Sequence, residues 1–241
     1  MNNELKNSGF SLTEVLLAVG TLAIGMIFIC GTFLTGIHFA TIATERTIAA
    51  VAADEAFAKI RLYGVSLTNP NLVVDQLTPF EVLNPIAVDE FAYPSTKSLA
   101  QKQYYWSALC RKVDSNPTNR LVQVTVFISR KVGNRSTYPG GAVRPVPVEV
   151  GVSTVAGAGN ENKLMINVPG EEIFINGGRT IADSQTGRLY RVLQRDADAP
   201  NIIVLDRIWQ GGLSDSVWVV PPPVGGGRYP CIAIYQKVIR F

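Results

Sequence analysis

The sequence predicts an α+β protein. One long N-terminal helix packs on an antiparallel sheet, and an additional all-β module follows. Three observations predict it. Residues 15–43 carry no fixed charge. Residues 44–62 then read as an amphipathic helix with many alanines and no proline. Beyond residue 104, short apolar runs alternate with turn-forming clusters, the pattern of antiparallel strands.

The helix comes first. At ~1.5 Å per residue the uncharged run makes roughly 43 Å of helix, and a bilayer core needs about 20 such residues. The run is therefore long enough to span a membrane over about 15–43. An ordinary secretory signal has an apolar region of only about 7–15 residues before a small-residue cleavage site. From Thr44 onward, Ile48, Val51, Ala52, Ala56 and Ile60 define one apolar stripe, and Glu55 and Lys59 stand at pairing distance along the helix. Helix is expected to run without a break from about 11 to 62.

At the mouth of the apolar run stands Gly9-Phe10-Ser11-Leu12-Thr13-Glu14-Val15. A carboxylate at an apolar boundary is costly unless it is paired, which marks Glu14 as a functional residue. The stretch resembles the processing site of type IV prepilins and type II secretion pseudopilins. The resemblance covers roughly residues 1–62. It implies a leader over 1–9, cut after Gly9 by prepilin peptidase, and methylation of the new N-terminal Phe10. It also implies an assembly role for Glu14, whose carboxylate meets the freed amino group of Phe10 on a neighbouring subunit. Each charge would relieve the other's desolvation cost. Major pilins commonly carry a proline near the position of Gly31, and this chain has none there. That departure resembles the minor subunits. Gly20 and Gly25 are spaced by five, so they are not a GxxxG pair.

The resemblance implies a pilin-like fold: an N-terminal helix over 10–62, an irregular connection over 63–103 and a pilin-type sheet over 104–156. The connection contains Pro70, Pro79, Pro85 and Pro94. The sheet is read from strands at 105–113, 121–131 and 146–155. In the second strand, Val122, Val124, Val126 and Ile128 should face the helix. The extra β module spans 157–241, with strands at 164–168, 172–175, 189–194, 202–206, 217–220 and 232–238. Its even spacing predicts a small barrel or a sheet extension, with the last strand returning to the first sheet. Cys110 and Cys231 would then approach each other. An oxidising compartment permits a bridge between them, as in many pilins, while two separate buried thiols remain the alternative.

Composition narrows the chemistry. The 241-residue chain has a net charge of +3, which gives no argument for a dedicated nucleic-acid surface. Its only histidine, His38, lies late in the anchor, so no His-based triad is available outside the membrane. Gly225-Gly226-Gly227 lacks the lysine of a phosphate loop. Asp196, Asp198 and Asn201 offer oxygen ligands to calcium but lack the twelve-residue loop pattern. Glu171, Glu172 and Asp183 fit solvated strand ends, and no carboxylate pair stands out. Tyr104, Tyr105, Trp106, Trp209, Trp218 and Tyr229 fit core positions, with a partner-binding patch as the alternative for some of them. No enzyme activity, cofactor or metal is expected.

The resemblance implies a structural minor pilin or pseudopilin of the bacterial inner membrane, single-pass, with its C-terminal part extracytoplasmic. Its partners would be other pilin or pseudopilin subunits, prepilin peptidase and the assembly platform. Two alternatives stand beside it: an uncleaved, membrane-anchored extracytoplasmic binding protein, and an anchored envelope enzyme.

Overall fold

The computed structural model describes residues 11–116, 119–133 and 136–241. The chain divides into two compact units, Met1–Thr47 and Ile48–Phe241. Helix α1, Leu12–Tyr63, runs through the described part of the first unit and supplies the first element of the second. It is one unbroken helix of 52 residues, close to the bounds expected from sequence.

In the first unit the helix presents its apolar side chains outward. Leu17, Phe28 and Phe33 are 73%, 70% and 68% exposed. The hydroxyls of Thr21, Thr32, Thr35 and Thr41 donate to carbonyls three or four residues earlier. These bonds leave few polar groups unsatisfied on an otherwise hydrocarbon surface.

The second unit is built on a five-stranded antiparallel sheet. Its strands are β1 (Thr78–Pro79), β2 (Ala92–Tyr93), β3 (Tyr104–Lys112), β4 (Leu121–Arg130) and β11 (Cys231–Arg240). The order is β1-β3-β4-β11, with β2 also paired to β3. The last strand does return to this sheet, running from Cys231 opposite Ser129 to Arg240 opposite Leu121.

One face of the sheet covers α1. Val122, Val124, Val126 and Ile128 pack in one core with Ala49, Ala52, Ala53, Ala56, Phe57 and Ile60, as the alternation in β4 predicts. The helical stripe is rotated from its expected position. Ala49, Ala53 and Phe57 are buried, whereas Val51 is 53% exposed and Ile48 half-buried. Alanine lets the helix sit close to the sheet, and the bulk in this core comes from Trp106, Phe80, Phe91 and Ile128. The residues from 64 to 103, expected to be irregular, also contain a short helix α2 (Phe80–Leu83) and two 3-10 turns. Leu72, Phe80, Leu83 and Phe91 tie this connection into the core.

The remaining strands close a six-stranded barrel: β5 (Val148–Thr154), β6 (Lys163–Ile166), β7 (Thr180–Asp183), β8 (Leu189–Arg195), β9 (Ile202–Leu205) and β10 (Ser214–Val219). The circuit is β10-β5-β6-β9-β8-β7. Val150, Val152, Leu164, Ile166, Ile181, Tyr190, Val192, Ile203, Leu205 and Val217 fill its interior, as in other narrow barrels.

Three expectations are corrected here. The third predicted strand, 146–155, belongs to the barrel, because β5 pairs with β10 and β6 and not with the sheet. The division near residue 156 therefore falls after the barrel's first strand. The segment predicted as a strand at 172–175 is a 3-10 turn, Glu171–Phe174. Strand β7, which follows Gly177-Gly178-Arg179, carries too short an apolar run to stand out.

The barrel packs on the second face of the sheet. Leu77, Leu109 and Phe127 meet Ala182, Trp218 and Val220. The β7–β8 turn presses against the same face at Gly187, whose φ is +67°. A Cβ there would lie 2.8 Å from Gln123 Nε2 and 3.1 Å from Arg111 Nε. Both the backbone angle and the close approach call for glycine at this position.

Candidate functional site

Glu14 lies in the first turn of α1. Its backbone N–H donates to Ser11 Oγ at 3.3 Å, and the Ser11 N–H donates to Glu14 Oε2 at 3.0 Å. This reciprocal pair is a capping box, Ser-x-x-Glu, which satisfies helix donors that would otherwise lack partners. The signature is legible in residues 11–14, yet a reading of Glu14 as an isolated acid overlooks it. Gly9 and Phe10, the processing and methylation positions, lie outside the described residues.

Behind Glu14 the helix is long and apolar enough to cross a membrane. His38 is exposed on this helix, 6.1 Å from the ring of Phe39.

Cys110 and Cys231 are not bridged, and both thiols are free. The sheet order explains this. Strand β4 lies between β3 and β11, so the two cysteines are about two strand spacings apart, roughly 9–10 Å. They are also offset along the sheet, since Cys110 is opposite Val124 and Cys231 opposite Ser129. A disulfide needs Cα atoms within about 7 Å. Strand β11 returns to the sheet as expected, but its neighbour is the wrong strand for a bridge. Burial pushes both thiols up to about 12.

The acids are placed unevenly. Asp183 is buried, not a solvated strand end. It accepts from the Gln185 N–H at 3.0 Å and from the Thr186 hydroxyl, closing the β7–β8 turn. Asp215 on β10 accepts from the N–H groups of Ser216 and Gly212, at 2.7 and 3.3 Å. Burial, then the charge of Asp183, raises its carboxyl above the usual range. Nothing in the residue order links these two acids, because only the β7–β10 pairing makes them neighbours. Asp215 borders a polar cleft of about 340 Å³ with Asp75, Gln185 and Ser216. Both acids are already committed to turn N–H groups or hydroxyls.

Asp196 Oδ1 accepts from the Asp198 N–H at 3.1 Å, and Oδ2 lies 3.6 Å from Lys163 Nζ. Its oxygens thus serve a turn and an ion pair. Glu172 Oε2 accepts from the Gly170 N–H at 2.5 Å. Trp106 stacks near Phe91, and Trp209 near Tyr190, as core aromatics do. Tyr105, Trp106, Trp209 and Trp218 are buried, while Tyr104 and Tyr229 are half-buried.

No family model, no curated protein and no solved structure matches this chain.

Proposed function

We propose that this chain is a minor subunit of a type IV pilus or a type II secretion pseudopilus. Prepilin peptidase would cut it after Gly9 and methylate Phe10. An assembly platform would then move it from the inner membrane into a filament of pilin-like helices. The sheet and the barrel would lie outside the membrane and form the exposed part of the subunit. In this reading the protein does no chemistry and needs no cofactor.

One observation carries the proposal. A glycine-phenylalanine junction, a capped helix start and Glu14 stand together at the head of an uncharged, outward-facing helix. The capping box is compatible with pairing between subunits. Cleavage after Gly9 leaves the Ser11 N–H in place, so Glu14 keeps its local donor. A carboxylate has acceptor capacity beyond one N–H, which leaves room for the Phe10 amine of a neighbour.

The capping box also supports a second reading, an uncleaved membrane-anchored binding protein in which Glu14 only caps its own helix. Intact-mass spectrometry separates the two. Chain purified from membranes of cells that contain the peptidase should lack residues 1–9 and carry one methyl group on Phe10. An intact Met1 in such material defeats the pilin reading.

A further inference from the structure

A cavity of about 410 Å³ lies in the second unit, where the connection from β4 to β5 folds back beside β3. Hydrogen bonds tie its frame. The Lys131 N–H donates to the Gln103 carbonyl at 2.7 Å, and the Val224 N–H donates to the Thr137 carbonyl at 2.8 Å. Tyr138 and Ala142 pair as an antiparallel bridge, closed through Gly140 and Gly141 at φ +76° and +75°. The Ser107 hydroxyl donates to the Pro145 carbonyl at 3.2 Å. The walls are thus fixed by the fold, and the volume falls within the roughly 300–1,000 Å³ of small-molecule sites.

The lining is of two kinds. Val88, Val132, Val143 and Pro145 supply apolar surface. Val88 and Val143 are exposed, so a ligand that covers them removes hydrocarbon from water. Tyr105, Tyr138, Lys131 and Arg144 supply polar surface, and no described lining residue is an acid. Tyr105, Tyr138 and Arg144 are buried. Arg144 is committed to Glu81 and Ser107, so it is a fixed cation. Lys131 is half-buried, and among the described residues no carboxylate lies within ion-pair distance of it. Burial raises the Tyr138 phenol above its usual range, which keeps it an O–H donor at neutral pH. The polar lining favours an anion. The valines, and tyrosine rings able to stack, favour a flat hydrocarbon body beside it. A neutral ligand would leave Lys131 unpaired, and a bare anion would leave the valines wet.

We propose that this cavity binds a small aromatic carboxylate, with its ring on the valine surface and its charge on Lys131. The site is independent of cleavage and of filament assembly. It gives the second unit a ligand-binding role besides a structural one.

The test uses the full chain in non-ionic detergent, titrated with 2-naphthoate, with 2-naphthamide and with acetate. Binding is followed by calorimetry and by thermal melting. 2-Naphthoate should bind saturably. The amide has the ring without the charge and acetate the charge without the ring, so each should bind at least about tenfold more weakly. Lys131→Met should weaken 2-naphthoate about tenfold and leave 2-naphthamide unchanged. Val143→Asp changes an exposed residue, puts a carboxylate on the apolar surface and should abolish 2-naphthoate binding. Lys97→Met and Leu213→Asp make the same charge changes at exposed positions outside the cavity and should bind like wild type. Partition into detergent is common to all variants and cancels between them. Equal affinity for 2-naphthoate and 2-naphthamide would overturn the proposal. So would the absence of saturable 2-naphthoate binding, or wild-type binding in Lys131→Met and Val143→Asp.

Discussion

The side-chain amide of Gln236 on β11 donates to the carbonyl of Gly187 in the β7–β8 turn at 2.6 Å, with Gln123 Nε2 on the same carbonyl at 3.3 Å. Arg111 Nη1 reaches the nearby Gln185 carbonyl at 3.0 Å. Three polar side chains from neighbouring strands of the sheet thus grip one turn of the barrel. Their bonds are specific where the apolar contact of Phe127 with Trp218 is not, and together they fix how the barrel sits on the sheet.

Gly187→Ala should therefore destabilise the second unit. The new Cβ meets Gln123 Nε2 and forces a non-glycine residue into positive φ. A loss of about 1–3 kcal/mol is expected, read as a lower urea midpoint for the full chain. A midpoint at the wild-type value would mean that the turn does not hold the barrel.

The capping box separates two roles of Glu14. Glu14→Gln keeps a side chain that can cap the helix but removes the charge. Glu14→Ala removes both, and Ser11→Ala removes the cap alone at a cost of about 1 kcal/mol of helix stability. Under the pilin proposal all three are still cleaved. Glu14→Gln and Glu14→Ala then fail to enter filaments while Ser11→Ala enters them, as sheared-filament blots would record. Normal assembly of Glu14→Gln would exclude the charge-pair role.

Arg144 sits 4.0 Å over the Phe91 ring, donates to Ser107 Oγ at 2.8 Å and pairs with Glu81. Its side chain is 5% exposed and that of Glu81 is 45% exposed. Removing the outer partner strands a buried cation, whereas replacing the inner one leaves a carboxylate that water can reach. Glu81→Ala should thus cost about 2–3 kcal/mol, and Arg144→Met, of similar volume, less than about 1.5 kcal/mol. Equal losses in chemical denaturation would contradict this asymmetry.

Asp215 gives a pH dependence with a definite sign. Its folded-state carboxyl is raised, so on acidification the folded protein takes up this proton before the unfolded chain does. This group's contribution is complete below the unfolded value and is lost as pH rises through the folded one. Asp215→Asn should match wild type in acid and exceed it at neutral pH. The comparison requires melting curves of both proteins across that range, and a constant difference at every pH would refute the assignment.

The free cysteines yield a simpler expectation. Reductant should leave the melting temperature unchanged, and mass spectrometry after alkylation of the denatured chain should find Cys30, Cys110 and Cys231 all modified. A reductant-sensitive melting temperature would show that β3 and β11 come closer than the sheet order allows.

The sequence is most informative where structure is local. Helix α1 is legible nearly to its ends because its signals repeat every few residues: an uncharged run, then alanines at core spacing, then Gly64. Strand β4 reveals both its faces through strict alternation. The rotated stripe shows the limit, since Ile48 and Val51 are more apolar than Ala49 and Ala53, yet the sheet buries the alanines. The barrel shows in the sequence only as a rhythm of short strands. Nothing within residues 146–155 says that their partner is β10 and not the sheet.

By itself the sequence determined the membrane-length helix, the motif at its head, the acid at position 14 and the strand-forming character of the residues beyond 104. These depend on the spacing of residues along one element. Tertiary structure alone decided that β5 opens a barrel, that β4 separates Cys110 from Cys231, that Asp183 meets Asp215 and that Arg179 lies over the Tyr229 ring. Each of those facts joins residues distant in the chain, through strand pairings whose choice depends on how the whole set of strands buries its apolar faces.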